Sequence, residues 1–242
     1  DINGLKKSAV KHDIIIRMES RPGDFILENG TLLWVWPGER AGADLEKKLN
    51  SSFVIGKERS SRQDVEYAVR LLVEIAVRAL SPGVNDPFTA ITCVDRIGEA
   101  LGKIARRKLP GPYYYDDKKK LRLIVDTFHF SGIVDTAFNQ IRQNATNVPS
   151  VSIRLLEIIG SLARIVDGND KKMVLQRHAS MVYRSASGHF ESAGVKEDME
   201  DLERRYFTVL DIIDGKAERE EQSILGARSA GIDDSDERLK LI

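Results

Sequence analysis

The apolar positions of the chain follow two rhythms, and the change between them divides the sequence. Up to about residue 56 they come in short runs broken by turn residues. His12-Asp13-Ile14-Ile15-Ile16-Arg17-Met18-Glu19 is a β-branched run bounded by Arg21-Pro22-Gly23-Asp24. Phe25-Ile26-Leu27, the turn Glu28-Asn29-Gly30 and the run Thr31-Leu32-Leu33-Trp34-Val35-Trp36 follow, closed by Pro37-Gly38. Strands of this length between Pro-Gly and Asn-Gly turns carry a hairpin signal. A short charged helix is expected over Ala41–Asn50, and Phe53-Val54-Ile55-Gly56 reads as one more strand. Two or three strands are rarely stable alone. The β unit is therefore expected to pack on the helices that follow, or to pair with a strand upstream of Asp1.

From residue 57 onward the period is helical. Ser60 and Ser61 ahead of Gln63 and Asp64 read as a capping box. The helix they open carries Val65, Ala68, Val69, Leu72, Ile75, Ala76, Ala79 and Leu80 at spacings of three and four, and stops at Ser81-Pro82-Gly83. Asp86 is a good N-cap with Pro87 at the first helical position of the next helix, which runs to about Lys108. A third is expected over Asp117–Asn144, with Leu121, Ile124, Val125, Phe128, Val134, Ala137, Phe138 and Ile141 as its apolar face. A fourth follows Pro149, capped by Ser150, to Val166; a fifth covers Asp170–Ser192 and a sixth Lys196–Asp214. The predicted fold is mainly α. A small N-terminal β unit of two to four strands (1–56) precedes a bundle of five to six helices (57–227). An acidic, polar tail (228–242) is expected to be flexible.

Composition narrows the class without naming a reaction. Of 242 residues, 42% are apolar and 31% charged, enough for a core and against global disorder. The single cysteine, Cys93, excludes an internal disulfide framework and reads as a small buried hydrophobe. No apolar run approaches the ~20 residues of a membrane span, and no signal peptide opens the chain. The missing initiator Met suggests an excised piece of something longer. Phosphate-loop, dinucleotide and serine-hydrolase motifs are absent. His12, His129, His178 and His189 are scattered without zinc-ligand spacing. His129, between Phe128 and Phe130, is the one retained as a candidate ligand contact.

The densest polar segment is Arg78-Ala79-Leu80-Ser81-Pro82-Gly83-Val84-Asn85-Asp86-Pro87-Phe88-Thr89-Ala90. It combines a helix stop, a tight turn and a capped start, and gathers Arg78, Ser81, Asn85, Asp86, Thr89 and Asp95 near one loop. Backbone N–H groups at the new helix start offer an anion site within reach of Arg78. The competing reading is a sharp helical hairpin with Arg78 and Asp95 paired across it. Together with Ile75-Ala76-Val77 ahead of it, this run resembles the signature of a bacterial family of predicted membrane proteins of unknown function. Gly23-Asp24-Phe25, Gly30-x-Leu32-Leu33, Arg59 with Gln63-Asp64, Cys93-x-Asp95-Arg96 and Asp135-x-Ala137-Phe138-x-Gln140-Ile141-Arg142 agree with it. The resemblance covers about residues 1–166. It implies a chain whose full-length form carries several N-terminal membrane spans before a soluble C-terminal region, of which this sequence resembles only the latter. No catalytic residue comes with it. The β piece is also similar to half of a biotinyl/lipoyl-like hammerhead, but neither turn holds a Lys, so no cofactor attachment is expected.

Beside a membrane, charge takes on a meaning. Lys103, Arg106, Arg107 and Lys108, then Lys118, Lys119, Lys120 and Arg122, bracket Pro110-Gly111-Pro112-Tyr113-Tyr114-Tyr115. One reading is a solvated loop with helix-end cations; the sharper one is a patch facing anionic lipid. The overall charge of zero hides a polarity: residues 1–195 hold 29 basic and 23 acidic side chains, and residues 196–242 hold 8 and 14. Nucleic acid is not expected as a partner. Three functions are ranked. The first is a non-enzymatic, membrane-proximal module binding a lipid or other amphiphile, on the cytoplasmic side. The second is an oligomeric assembly domain of a channel or transporter. The third is a metal-assisted enzyme using Asp64, Asp86 and Asp95 around the Asn85-Asp86 loop.

Overall fold

The computed structural model describes residues 1–60 and 64–215. Among them are α1 (Ile2–Lys11), β1 (Ile15–Met18), β2 (Leu33–Trp36), a 3-10 turn (Gly38–Arg40), α2 (Ala43–Asn50), α3 (Val65–Ala79) and α4 (Pro87–Ala105). They are followed by β3 (Tyr113–Tyr115), β4 (Leu121–Ile124), α5 (Phe130–Asn144), α6 (Pro149–Ile165), α7 (Asn169–Ala193) and α8 (Lys196–Ile213). The fold is mainly helical with one small sheet, as the periodicity implies. The chain divides into two units: Asp1–Arg70 with Lys108–Ile133, and Leu71–Arg107 with the chain from Val134.

The first unit is built on a four-stranded sheet of order β2-β1-β4-β3. β1 and β2 are antiparallel, with Ile15 opposite Trp36 and Met18 opposite Leu33. β4 joins β1 in parallel and β3 closes the other edge antiparallel to β4. Paired residues share a face of the pleat. The row Val35–Ile16–Leu123–Tyr114 therefore lies on one side and Trp34–Arg17–Ile124–Tyr113 on the other. On the inner side Ile16 and Leu123 are wholly buried and cluster with Leu5 and Ala9 of α1 and Leu45 and Leu49 of α2. α1 starts at Asp1, whose carboxylate accepts the Gly4 N–H at 3.1 Å.

Several local expectations change here. Residues 1–11, left unassigned by the pattern, form α1. Phe25–Leu27 and Phe53–Gly56 are not strands; Phe25, Leu27, Val54 and Ile55 are exposed, and no strand pairs with them. The helix expected over Asp117–Asn144 is instead a strand followed by a shorter helix, β4 and α5. Leu121, Ile124, Val125 and Phe128 fit a helical period, but Leu121, Leu123 and Val125 equally fit period two, and short apolar runs carry both. The tie is broken by β1, whose Ile16 needs Leu123 beside it to complete the buried row. His129 accordingly lies in the exposed connection before α5, not on an apolar helix face.

In the second unit α6 packs against α4, α7 and α8. Its Leu155, Leu156 and Ile159 are fully buried, each contributing roughly 1.5–3 kcal/mol by leaving water. Glycine sets the approach of α4: a Cβ on Gly98 would lie 2.7 Å from Ile158 Cγ2. α4 ends at Ala105, three residues before the expected Lys108. Val148 holds the N-cap position of α6 with Pro149 after it, so Ser150 is not the cap. Of the expected capping box at α3, Ser61 and Gln63 lie outside the described residues, as does the acidic tail 228–242. Asp64 takes the role itself: its Oδ1 accepts the Tyr67 N–H at 2.9 Å.

Candidate functional site

The α3–α4 turn uses almost every polar group it gathers. Ser81 donates its hydroxyl to the Arg78 carbonyl at 2.7 Å, and the Ser81 carbonyl accepts the N–H groups of Val84 and Asn85. Asn85 adopts a left-handed backbone, φ 49°, which asparagine tolerates better than most residues. The Asp86 N–H closes on the Ala79 carbonyl at 2.8 Å. The Asp86 carboxylate accepts the Thr89 hydroxyl at 2.5 Å and the Thr89 N–H at 3.1 Å, and these bonds hold its pKa below the usual carboxylate range. Asp95 does not meet Arg78. It pairs with Arg154 of α6 at 2.6 Å, and Arg154 continues to Glu157, which also binds Arg205 of α8. Arg78 is exposed and has no ion-pair partner among the described residues.

The carboxylates of the metal-assisted reading are each committed. Asp64 is buried and bound by Arg59, Asp86 caps α4, and Asp95 holds Arg154. Among the described residues no group of three His, Cys, Asp or Glu side chains is placed to hold a metal ion. Asp64 also explains two other motif pieces. Gly23 has φ +94°, and a Cβ there would sit 2.0 Å from Asp64 Oδ2. Gly23, Arg59 and Asp64 are thus one arrangement around a buried carboxylate. Cys93 is buried, and burial pushes its thiol pKa up, away from nucleophilic chemistry.

The cationic candidates fall in two places. Lys103, Arg106, Arg107 and Lys108 are exposed at and beyond the end of α4, where Lys103 pairs with Glu99 at 2.6 Å. Lys118, Lys119 and Lys120 form the tip of the β3–β4 hairpin. There Asp116 Oδ1 accepts the N–H groups of both Lys118 and Lys120 at 2.9 Å, while its Oδ2 binds Arg122 at 2.8 Å. Arg122 is buried between Asp116 and Asp13, and Asp13 is lowered to about 2 by hydrogen bonds from Arg122 and Arg40. The three lysine ammonium groups at the tip are exposed and without an ion-pair partner among the described residues.

One buried polar group lies at a position that no sequence motif marks. His178 on α7 is fully buried, and its Nε2 lies 2.8 Å from Asp135 Oδ1 of α5. One turn pair further along, Arg142 donates to Ser185 at 2.7 Å. Three side-chain atoms in this seam, His178 Nδ1, Asn139 Oδ1 and Arg142 Nε, are buried without a hydrogen-bond partner among the described residues. The signal was available: Asp135, Asn139 and Arg142 at spacings of four and three place polar groups on one helix face. Burial holds the His178 pKa below its ordinary value. Between α4 and α6 an open groove of about 280 Å³ is lined by Gly98, Ile158, Leu162 and Ile165, with Glu99 and Ser161 at its polar positions. That is below the usual range for enclosing an organic ligand.

Residues 1–161 match the model of a family described as predicted membrane protein (DUF2254). The span agrees closely with the resemblance carried by the motifs. Uncharacterized proteins of Mycobacterium bovis and Mycobacterium tuberculosis are 30% identical over 195 residues, which is 78% of this chain and 37% of theirs. The chain thus spans little more than a third of the curated relatives it matches. No solved structure matches it. No helix among the described residues is long and apolar enough to cross a membrane.

Proposed function

The chain belongs to the family of predicted membrane proteins matched over residues 1–161, and on that premise we propose that it is a non-enzymatic, membrane-proximal domain that binds lipid. Its ligand chemistry is the anionic head group of a phospholipid or similar amphiphile. The observation that carries this reading is the β3–β4 tip, where one aspartate folds the turn through backbone N–H groups and leaves Lys118, Lys119 and Lys120 without an ion-pair partner among the described residues. Each such cation near an anionic leaflet contributes about 1 kcal/mol of attraction. The cytoplasmic side, with its anionic lipids, is the side this charge fits. The assembly and enzyme alternatives rest on no comparable arrangement among the described residues.

Sedimentation with vesicles tests the proposal. Vesicles containing phosphatidylglycerol should carry the protein down at low salt and release it as ionic strength rises, because exposed charges are screened. Phosphatidylcholine vesicles should leave it in solution. Equal partition onto both, or onto neither, would refute lipid binding through charge.

A further inference from the structure

We propose that the outer face of the four-stranded sheet lies on the bilayer surface, with its aromatic side chains seated at the head-group level. This rests on the lipid-binding reading and adds to it a defined contact face. Register is the first support. Trp34 pairs with Arg17, Arg17 with Ile124 and Ile124 with Tyr113, so a single row crosses all four strands on one side of the pleat. Trp36, opposite Ile15, stands on the same side. The neighbouring row faces α1 and α2, so the outer row is the side those helices leave uncovered.

Composition is the second support. A sheet face open to water normally alternates to polar residues. Here the outer row and the Ile15–Trp36 pair supply Trp, Trp, Ile, Ile and Tyr with one Arg, and Trp34, Trp36 and Tyr113 are 49%, 46% and 57% exposed. Trp and Tyr have an apolar body with a polar tip, the combination enriched at membrane–water interfaces.

Charge then selects the occupant. Arg17 is exposed within the row, and the lysine tip projects from the hairpin that forms the β3–β4 side of the same sheet. Of the carboxylates nearby, Asp13 and Asp116 are paired with Arg122, Glu19 accepts the Trp34 indole N–H at 2.8 Å, and Asp117 is exposed beside three lysines. Cations without an ion-pair partner among the described residues, beside exposed indoles, complement an anionic, amphipathic surface. A second copy of this chain would bring the same cations against each other.

The chain contains two tryptophans, and both are on this face, so intrinsic emission reports on it alone. Tryptophan emission and sedimentation should be followed together on phosphatidylglycerol/phosphatidylcholine vesicles, with brominated acyl chains as quencher. The expected result is a blue shift with quenching on anionic vesicles. Trp34→Ala should bind about tenfold more weakly with Trp36 still reporting, since withdrawing an indole from water contributes on the order of that factor. Arg17→Glu, which leaves both indoles in place, should weaken binding in the same direction and guards against a misfolded Trp34 variant. Sedimentation with unshifted, unquenched emission would overturn this inference and leave lipid binding standing. No sedimentation at all would overturn both. A lipid-independent blue shift that tracks a dimer mass in light scattering would assign the face to a second copy and overturn the proposal.

Discussion

The α3–α4 turn and the β3–β4 hairpin are folded by the same device and have opposite outcomes. In each, an aspartate side chain collects backbone N–H groups: Asp86 takes that of Thr89, and Asp116 takes those of Lys118 and Lys120. At the α3–α4 turn Ser81 is also taken up by the Arg78 carbonyl and Thr89 by Asp86, leaving the Arg78 guanidinium as the cation without an ion-pair partner among the described residues. At the hairpin the aspartate completes the turn, and three ammonium groups have no ion-pair partner among the described residues. A dense, specific-looking motif therefore marks the more self-contained of the two places. Density of polar residues measures how demanding a turn is; unspent hydrogen-bonding or charge capacity measures what it offers a partner.

The largest expected effect separates them directly. Reversing the hairpin charge with Lys118→Glu, Lys119→Glu and Lys120→Glu removes about 3 kcal/mol of attraction to an anionic leaflet, or about 100-fold in vesicle partition. Its melting temperature should stay near that of the parent, because no ion pair among the described residues is lost. Asn85→Ala together with Thr89→Ala should do the reverse, lowering the melting temperature and leaving partition within twofold. If the turn variants lose vesicle binding and the lysine variants keep it, the contrast between the two places collapses.

A buried extreme sharpens the same contrast. At the α5–α7 seam, Asp135 binds His178 Nε2 and also pairs with Arg177 at 2.6 Å. Asp135→Ala leaves a fully buried imidazole without its partner, which costs about 2 kcal/mol. Urea unfolding should show that loss, and Asp135→Asn, which keeps an acceptor oxygen, should recover part of it. Vesicle binding should not change, because nothing in the seam reaches for a charged surface.

What was legible in the chain follows from how local each feature is. Asp86-Pro87 announces the start of α4, and Pro149 that of α6, because helix starts are written within a turn or two. β4 was hidden inside a helical period, since its strand character depends on Ile16, more than a hundred residues earlier. The outer row was hidden for the same reason. Arg17 and Ile124 become neighbours only once β1 and β4 pair, so the aromatic face has no signature in any one segment. His178 has no local signature either, because a lone histidine at helical spacing looks like any other position until Asp135 stands opposite.

Acid provides a smaller, graded version of the seam test. Burial lowers the folded-state pKa of His178 below its ordinary 6.5, so the unfolded chain binds this proton more readily than the folded one. The stability tied to the neutral imidazole is present above about pH 6.5 and is lost as pH falls below it, by at most about 1.4 kcal/mol per pH unit. His178→Gln should flatten that limb. Asp86 and Asp116, whose pKa values are held down by hydrogen bonds, contribute in full above about pH 3.8 and lose that contribution as pH falls from there through their lower folded-state values. The turn and the hairpin should therefore share one acid limb, while the seam titrates separately and earlier.

The smallest effect distinguishes the two aspartates. Asp86→Ala removes the acceptor at the start of α4 and should lower the melting temperature with no change in vesicle partition. Asp116→Ala removes the acceptor for two hairpin N–H groups and one of the two carboxylates on Arg122. The lysine charges survive that change, so partition should weaken by no more than about two- to threefold, as the tip gives up its fixed arrangement but keeps its attraction. Amide exchange at Lys118 and Lys120 should accelerate in the same variant. If exchange accelerates while partition stays put, the hairpin supplies only charge. If the two move together, the turn that Asp116 builds is itself part of what the membrane recognises.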